Sequence, residues 1–252
     1  MTRVIKVGGR AQSDPRLAAT MARAAEASSG DLCIVHGGGD ELSALQRRLG
    51  IEPRFRGGRR VTTREDVELA RMALSGSANK RLVAALRSAG VRAAGISGED
   101  GDLLMARQLD AVTLGAVGQP SRVDTALVRA LLGAGFVPVI SPLASDAESG
   151  IPLNVNGDDA ATAIAVALGA SELLLVVDVP GVLENGDLVA DLDAEVASDL
   201  VARGSITGGM AAKLEAARAA LAGGVPLVRV AGVEAITDSR RGTTITLSPT
   251  TV

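Results

Sequence analysis

Tryptophan and tyrosine are absent from this 252-residue chain, and phenylalanine occurs only at Phe55 and Phe136. A surface that stacks nucleobases or sugars on aromatic rings therefore has almost no residues to be built from. Cysteine occurs once, at Cys33 in the apolar run LCIV, which excludes a disulfide within the chain and fits a reducing compartment. A basic excess is missing as well: 26 Lys and Arg stand against 29 Asp and Glu, for a net charge of -3. That balance argues against electrostatic binding to nucleic acid. No apolar run approaches the ~18 residues of a membrane span. The N-terminus passes directly into RVIKVGG without an apolar signal segment, so a cytoplasmic location is expected. The single histidine, His36, has no His or Cys cluster around it to form a zinc site, and no metal-ligating set is assigned.

Glycine, by contrast, is abundant at 30 residues, and it is clustered. Short β-branched runs at 3–7, 32–36, 91–97, 136–141, 172–177, 226–231 and 243–248 read as strands. Ala- and Leu-rich segments near 14–28, 40–49, 64–88, 121–133, 158–168, 193–203 and 208–222 carry a helical period. Ser13 and Pro15 are expected to open the first helix and Gly30 to close it. Several strands are apolar on both faces, as in a mostly parallel sheet covered by helices, so the class is α/β. The polar stretch 144–157 is expected to divide two lobes of one sheet. VLENGDLVAD (182–191) carries an Asn-Gly hairpin signal.

Three glycine-rich segments sit at strand ends or helix starts. KVGG (6–9) ends the first strand, HGGGDEL (36–42) ends the second, and ITGGMAAKLEAA (206–217) opens a helix that carries Lys213. Free N–H groups at a helix start suit an anion, and Lys6 and Lys213 add point charges. A tight turn with solvated lysines is the plainer reading of each motif alone. His36 is expected to pack at the strand end rather than to catalyse. GGRRVTT (57–63) offers Arg59 and Arg60, either of which could clamp a carboxylate in two-point fashion. GEDGDLL (98–104) lacks the spacing of a calcium loop and reads as a surface turn. NVNGDDAATAIAVALGA (154–170) places four polar residues before an apolar helix, although a cap needs only one. Neither G-x-x-x-x-G-K-S/T nor G-x-G-x-x-G occurs, so a nucleotide would be held by another route. In a doubly wound sheet these motifs would meet at the carboxyl edge of the strands, around a multiply anionic ligand.

The order of KVGG, VHGGGDEL, GGRRVT, SGSANKRLV, NVNGDDAAT, VVDVPGVL and GGMAAKLEAA resembles the successive signatures of the amino-acid kinase family, from residue 3 to about 230. The resemblance implies a three-layer α/β/α sandwich with a mostly parallel sheet, in one domain of two halves. Residues 1–155 would hold an acylated amino acid, and residues 156–252 ATP with magnesium. The activity implied is phosphorylation of the γ-carboxylate of N-acetyl-L-glutamate in arginine biosynthesis. Carried over by motif, Lys6 and Lys213 would approach the transferring phosphoryl group from opposite halves, with Asp158 orienting both. Gly8, Gly9, Gly38 and Gly39 would donate N–H groups around phosphate and substrate, while Arg60 and Asn154 would hold the α-carboxylate and acylamino end. Asn156 or Asp159 is left to serve the cap. Asp178, Val179, Pro180, Gly181, Val182 and Leu183, with Ser205, Ile206 and Thr207, correspond to nucleotide-contacting stretches.

Two departures from the family pattern bear on assembly. Only AGVEAITDSRRG (231–242) stands where a longer segment with a further helix is usual, beneath the nucleotide half. The chain also begins at the first strand, without the N-terminal helix of arginine-inhibited hexamers, so a homodimer without arginine feedback is expected. Kinases for N-succinylglutamate or carrier-linked aminoadipate are rivals on the same scaffold. A catalytically silent amino-acid sensor is a rival of another class.

Overall fold

The computed structural model describes residues 2–28 and 31–247. The first part of the chain runs β1 (Arg3–Val7), α1 (Leu17–Ala27), β2 (Leu32–His36), α2 (Gly39–Arg48) and the hairpin β3 (Phe55–Arg56) and β4 (Arg59–Arg60). It continues through α3 (Arg64–Ala70), a π-helical segment (Arg71–Ala78) and α4 (Asn79–Ser88) to β5 (Ala93–Ser97), β6 (Leu104–Gln108) and β7 (Val117–Val123). Then come α5 (Ala126–Gly133), β8 (Val137–Ser141), β9 (Leu143–Asp146), β10 (Pro152–Val155) and α6 (Gly157–Leu168). The remainder comprises β11 (Glu172–Val176), β12 (Leu183–Glu184), β13 (Asp187–Leu188), β14 (Asp191–Asp193), α7 (Ala194–Ala202), α8 (Gly208–Ala222), β15 (Val228–Ala231) and β16 (Thr243–Thr246).

Eight strands form the main sheet in the order β14-β16-β15-β11-β1-β2-β8-β5, parallel except where β16 runs against β15. Alternation along the strands sorts their side chains into two cores. Val4, Cys33, Val35, Leu173 and Leu175 pack on the face covered by α6 and α8. Ile5, Val7, Leu32, Ile34, Leu174 and Val176 pack on the face covered by α1 and α4. The α/β/α layering expected from the sequence is present.

The stretch 144–157 is not a plain divide. It forms the antiparallel pair β9–β10, which closes with β6 and β7 into a separate four-stranded barrel. Residues 121–123 are strand rather than helix, because they continue β7 before α5 begins. Ser13 and Pro15 lie ahead of α1, where the Asp14 carboxylate accepts from the Arg16 amide at 2.8 Å; Gly30 lies outside the described residues. The hairpin at 183–188 has Asn185 and Gly186 at φ 51° and 93°, the left-handed pair that its Asn-Gly turn requires.

The short C-terminal segment is organised by one buried cation. The Arg229 guanidinium pairs with Glu172 at 2.6 Å and donates to the carbonyls of Ala235 and Arg241 at 3.1 and 3.0 Å. A single side chain thereby supports a 3-10 turn at Val233–Ile236, whose apolar residues join the α1-side core.

Candidate active site

Lys6 shares its strand face with Val4, so it points from β1 toward α6. The Asn156 side chain caps α6, accepting from the amides of Asp158 and Asp159 at 2.7 and 3.4 Å. This leaves the Asp158 carboxylate for other work. Its Oδ1 lies 2.7 Å from Lys6 Nζ and its Oδ2 lies 3.1 Å from Lys213 Nζ. Gly157 makes room for this arrangement, since a Cβ there would stand 3.3 Å from Lys6 Cε. Burial lowers the pKa of the Lys6 ammonium, and Lys213 adds to that effect while Asp158 opposes it. Burial alone would raise Asp158, but the two lysines outweigh it and hold the carboxyl below its ordinary value. With both lysines protonated, two ammonium groups share one carboxylate, and the cluster can accept a further anion.

The glycine loops after β1 and β2 face each other beside this cluster. A Cβ on Gly9 would lie 3.8 and 3.9 Å from the amide nitrogens of Gly38 and Gly39, so these amides converge on one small space. Gly8 differs from the expectation: its N–H donates to the Val176 carbonyl at 3.0 Å, extending the β1–β11 ladder, and is not available to a phosphate. Gly38, at φ 156°, is wedged against Leu74, whose Cδ2 would lie 2.6 Å from a Cβ at that position. Leu74 belongs to the π-helical segment, which interrupts the single helix read over 64–88.

One cavity, of about 170 Å³, opens between the glycine loop after β2 and the β3–β4 hairpin. Gly37, Gly38, Gly39, Arg60, Asn154 and Gly157 contribute to its walls, so the residues expected to hold the acylated amino acid lie together. Arg60 is buried and fixed: it donates to Gln46 Oε1 at 2.6 Å, to the Gly39 carbonyl at 2.7 Å and to Ser43 Oγ at 2.8 Å. Its guanidinium also lies 4.7 Å from the centre of the Phe55 ring. The Asn154 amide donates to Thr62 Oγ1 at 3.1 Å.

The second cavity, of about 570 Å³, is lined by Gly8, Gly9, Asp178, Val179 and Lys213, and it meets the first at Gly39. Pro180, Gly181, Val182, Leu183, Ser205, Ile206 and Thr207 do not line it. Val182 is buried in the core with its amide on Thr243 Oγ1 at 2.8 Å, and Ile206 packs against the same core, so both act behind the wall. Arg10, Asp40 and Met210 do line the cavity and were not singled out from the sequence. Their signal is positional, since each directly follows a run of glycines, at Gly9, Gly39 and Gly209.

His36 is structural, as expected. Its Nδ1 bonds the Gly37 carbonyl at 2.6 Å and its Nε2 accepts from the Asn79 amide at 3.1 Å. Burial lowers its pKa to about 4, so the ring is neutral near pH 7.

Comparison with known proteins agrees with this architecture. Residues 1–232 match the amino acid kinase family. The chain belongs to that family. It is 44% identical to acetylglutamate kinase of Geobacillus kaustophilus over 91% of this chain and 89% of that one. It is 43% identical to acetylglutamate kinase of Methanopyrus kandleri, over 94% of this chain and 97% of the other. The crystal structure of smu.665 from Streptococcus mutans UA159 superposes with a TM-score of 0.88 at 31% identity, covering 97% and 98% of the two chains.

Proposed function

We propose that the protein is an ATP-dependent kinase that converts N-acetyl-L-glutamate to N-acetyl-L-glutamyl 5-phosphate, a step of arginine biosynthesis. The observation that carries this reading is Asp158 held between Lys6 and Lys213 where two cavities meet. A γ-carboxylate is already ionised at neutral pH and needs no general base. Its oxygen forms the new bond to the γ-phosphorus of ATP as the bond to the β-phosphate oxygen breaks, and ADP leaves with that electron pair. The barrier is repulsion between two anions, so ammonium groups and fixed N–H donors that offset charge in the transition state are the natural catalysts. In this reading Lys6 serves the acceptor side and Lys213 the nucleotide side. Arg60 and Asn154 orient the acylglutamate, and Asp178 and Val179 face the nucleotide. Residues 1–155 and 156–252 are the two functional halves of one domain, although Gly8, Gly9 and Asp40 of the first half also border the nucleotide cavity.

Magnesium belongs to the same proposal and would arrive with the nucleotide, where it would offset phosphate charge. Both Asp158 oxygens are engaged by lysines, and the described residues include no group of three or more His, Cys, Asp or Glu placed to cage a metal. A homodimer and a cytoplasmic setting complete the reading; no helix among the described residues is long and apolar enough to cross a membrane. The buried lysine–aspartate–lysine cluster favours a kinase over a silent sensor, which has no use for it. Hydroxamate trapping of the acyl phosphate, with ATP and a panel of N-acylglutamates and aminoadipates, tests the proposal. Product with N-acetylglutamate supports it; product with free glutamate alone would replace it with a γ-glutamyl kinase.

A further inference from the structure

Arg59 and Arg60 are consecutive residues of β4, so their side chains leave the hairpin toward opposite sides. Arg60 grips the α2 wall of the first cavity through Gly39, Ser43 and Gln46. Arg59 grips the other wall. Its Nη1 lies 2.9 Å from Asp159 Oδ2, in the first turn of α6, and its Nη2 donates to Gln119 Oε1 of β7 at 3.1 Å. Only the tip of the hairpin is open: Gly57 and Gly58, at φ 54° and 74°, have nothing within 4 Å of where a Cβ would stand, so Arg60 and Arg59 at its base fasten it to the two walls.

We infer that Arg59 and Asp159 are positioning residues, whose ion pair straps the Phe55–Arg60 hairpin across the mouth of the first cavity and ties it to the helix that carries Asp158. The inference rests on the reading of that cavity as the acylglutamate site. The side chains of Arg59 and Asp159 are 28% and 18% exposed, so solvent screens the pair less than it would a fully exposed one. Asp159 is adjacent in sequence to Asp158, so a hairpin held at Asp159 is registered against the first turn of α6. Arg60, which points into the same cavity, is presented by that hairpin. Loss of the strap therefore loosens the grip on the acceptor substrate while leaving the Lys6–Asp158–Lys213 cluster in place.

Amide hydrogen exchange and steady-state kinetics on the full chain test this, with Asp159→Asn, Arg59→Met and the reversed pair Arg59→Asp with Asp159→Arg. In the single variants, exchange of the hairpin amides should accelerate about fivefold, with β1 and β11 unchanged. KM for N-acetylglutamate should rise by about fivefold while kcat stays within about twofold, since the lost contact serves binding rather than transfer. The reversed pair should recover both values. Hairpin exchange in both single variants equal to that of the unaltered protein overturns the strap, whatever the substrate. An unaltered protein that phosphorylates no acylglutamate overturns the functional reading instead, and the exchange data still decide the strap.

Discussion

The two cavities that meet at Gly39 are built in different ways. The first is walled by side chains that are already committed: Arg60 makes three hydrogen bonds, Arg59 is paired with Asp159, and Asn154 is anchored on Thr62. The second is wider and is lined by the glycines after β1 together with side chains that include Arg10, Asp40 and Asp178, with Lys213 reaching in from α8. Even the two lysines differ, Lys6 being 7% exposed at its side chain and Lys213 14%. The contrast teaches a division of labour. In the proposed function, the fixed cavity would select an acceptor by shape and by placed donors, whereas the open one would offer amides and charge to the polyphosphate of a nucleotide.

The most severe way to break this arrangement is Asp158→Asn. It leaves two ammonium groups facing each other without their common carboxylate, and kcat should fall about a thousandfold while the fold is retained. Stopped-flow or steady-state turnover checks it. The comparison is sharpened by Lys213→Ala, which should lower kcat about a hundredfold yet leave N-acetylglutamate affinity nearly intact by calorimetry, since that lysine belongs to the nucleotide side. An equal loss of acceptor affinity would show that the two cavities are not separable.

A third test addresses the buried histidine at the end of β2. His36 is neutral in the fold, with its pKa lowered to about 4 from an ordinary value of 6.5. Because the unfolded state binds the proton first, stability is fully present above about 6.5 and is lost as pH falls toward about 4, by up to about 3 kcal/mol. Denaturant titrations at pH 7 and pH 4.5 should show this loss, and His36→Gln should flatten it.

Much of the lysine–aspartate–lysine cluster was legible because each motif is local: KVGG, HGGG and NGDD mark strand ends and a helix start by themselves. The small barrel was not. β9 and β10 have only four residues each, β6 and β7 carry consecutive exposed residues (Arg107 and Gln108, Ser121 and Arg122) rather than alternating ones, and Pro120 and Pro152 interrupt the pattern, so no period-two signal stands out. Nothing within PLVRVA explains the charge of Arg229, which is accounted for by the Glu172 carboxylate and the carbonyls gathered around it in the fold. The assignment of the cap to Asn156 rather than Asp159 likewise depended on a tertiary contact, since Asp159 is engaged by Arg59 from a hairpin distant in sequence. Pro180–Leu183 looked like a ligand loop, yet Val182 is turned into the core.

The central claim is that one buried carboxylate holds two lysines where phosphate crosses from one cavity to the other. A crystal structure with N-acetylglutamate and a non-hydrolysable ATP analogue tests it most directly. The account predicts both amines within hydrogen-bond reach of the terminal phosphoryl oxygens, with Asp158 still between them. A terminal phosphate bound well beyond the reach of either lysine would contradict it.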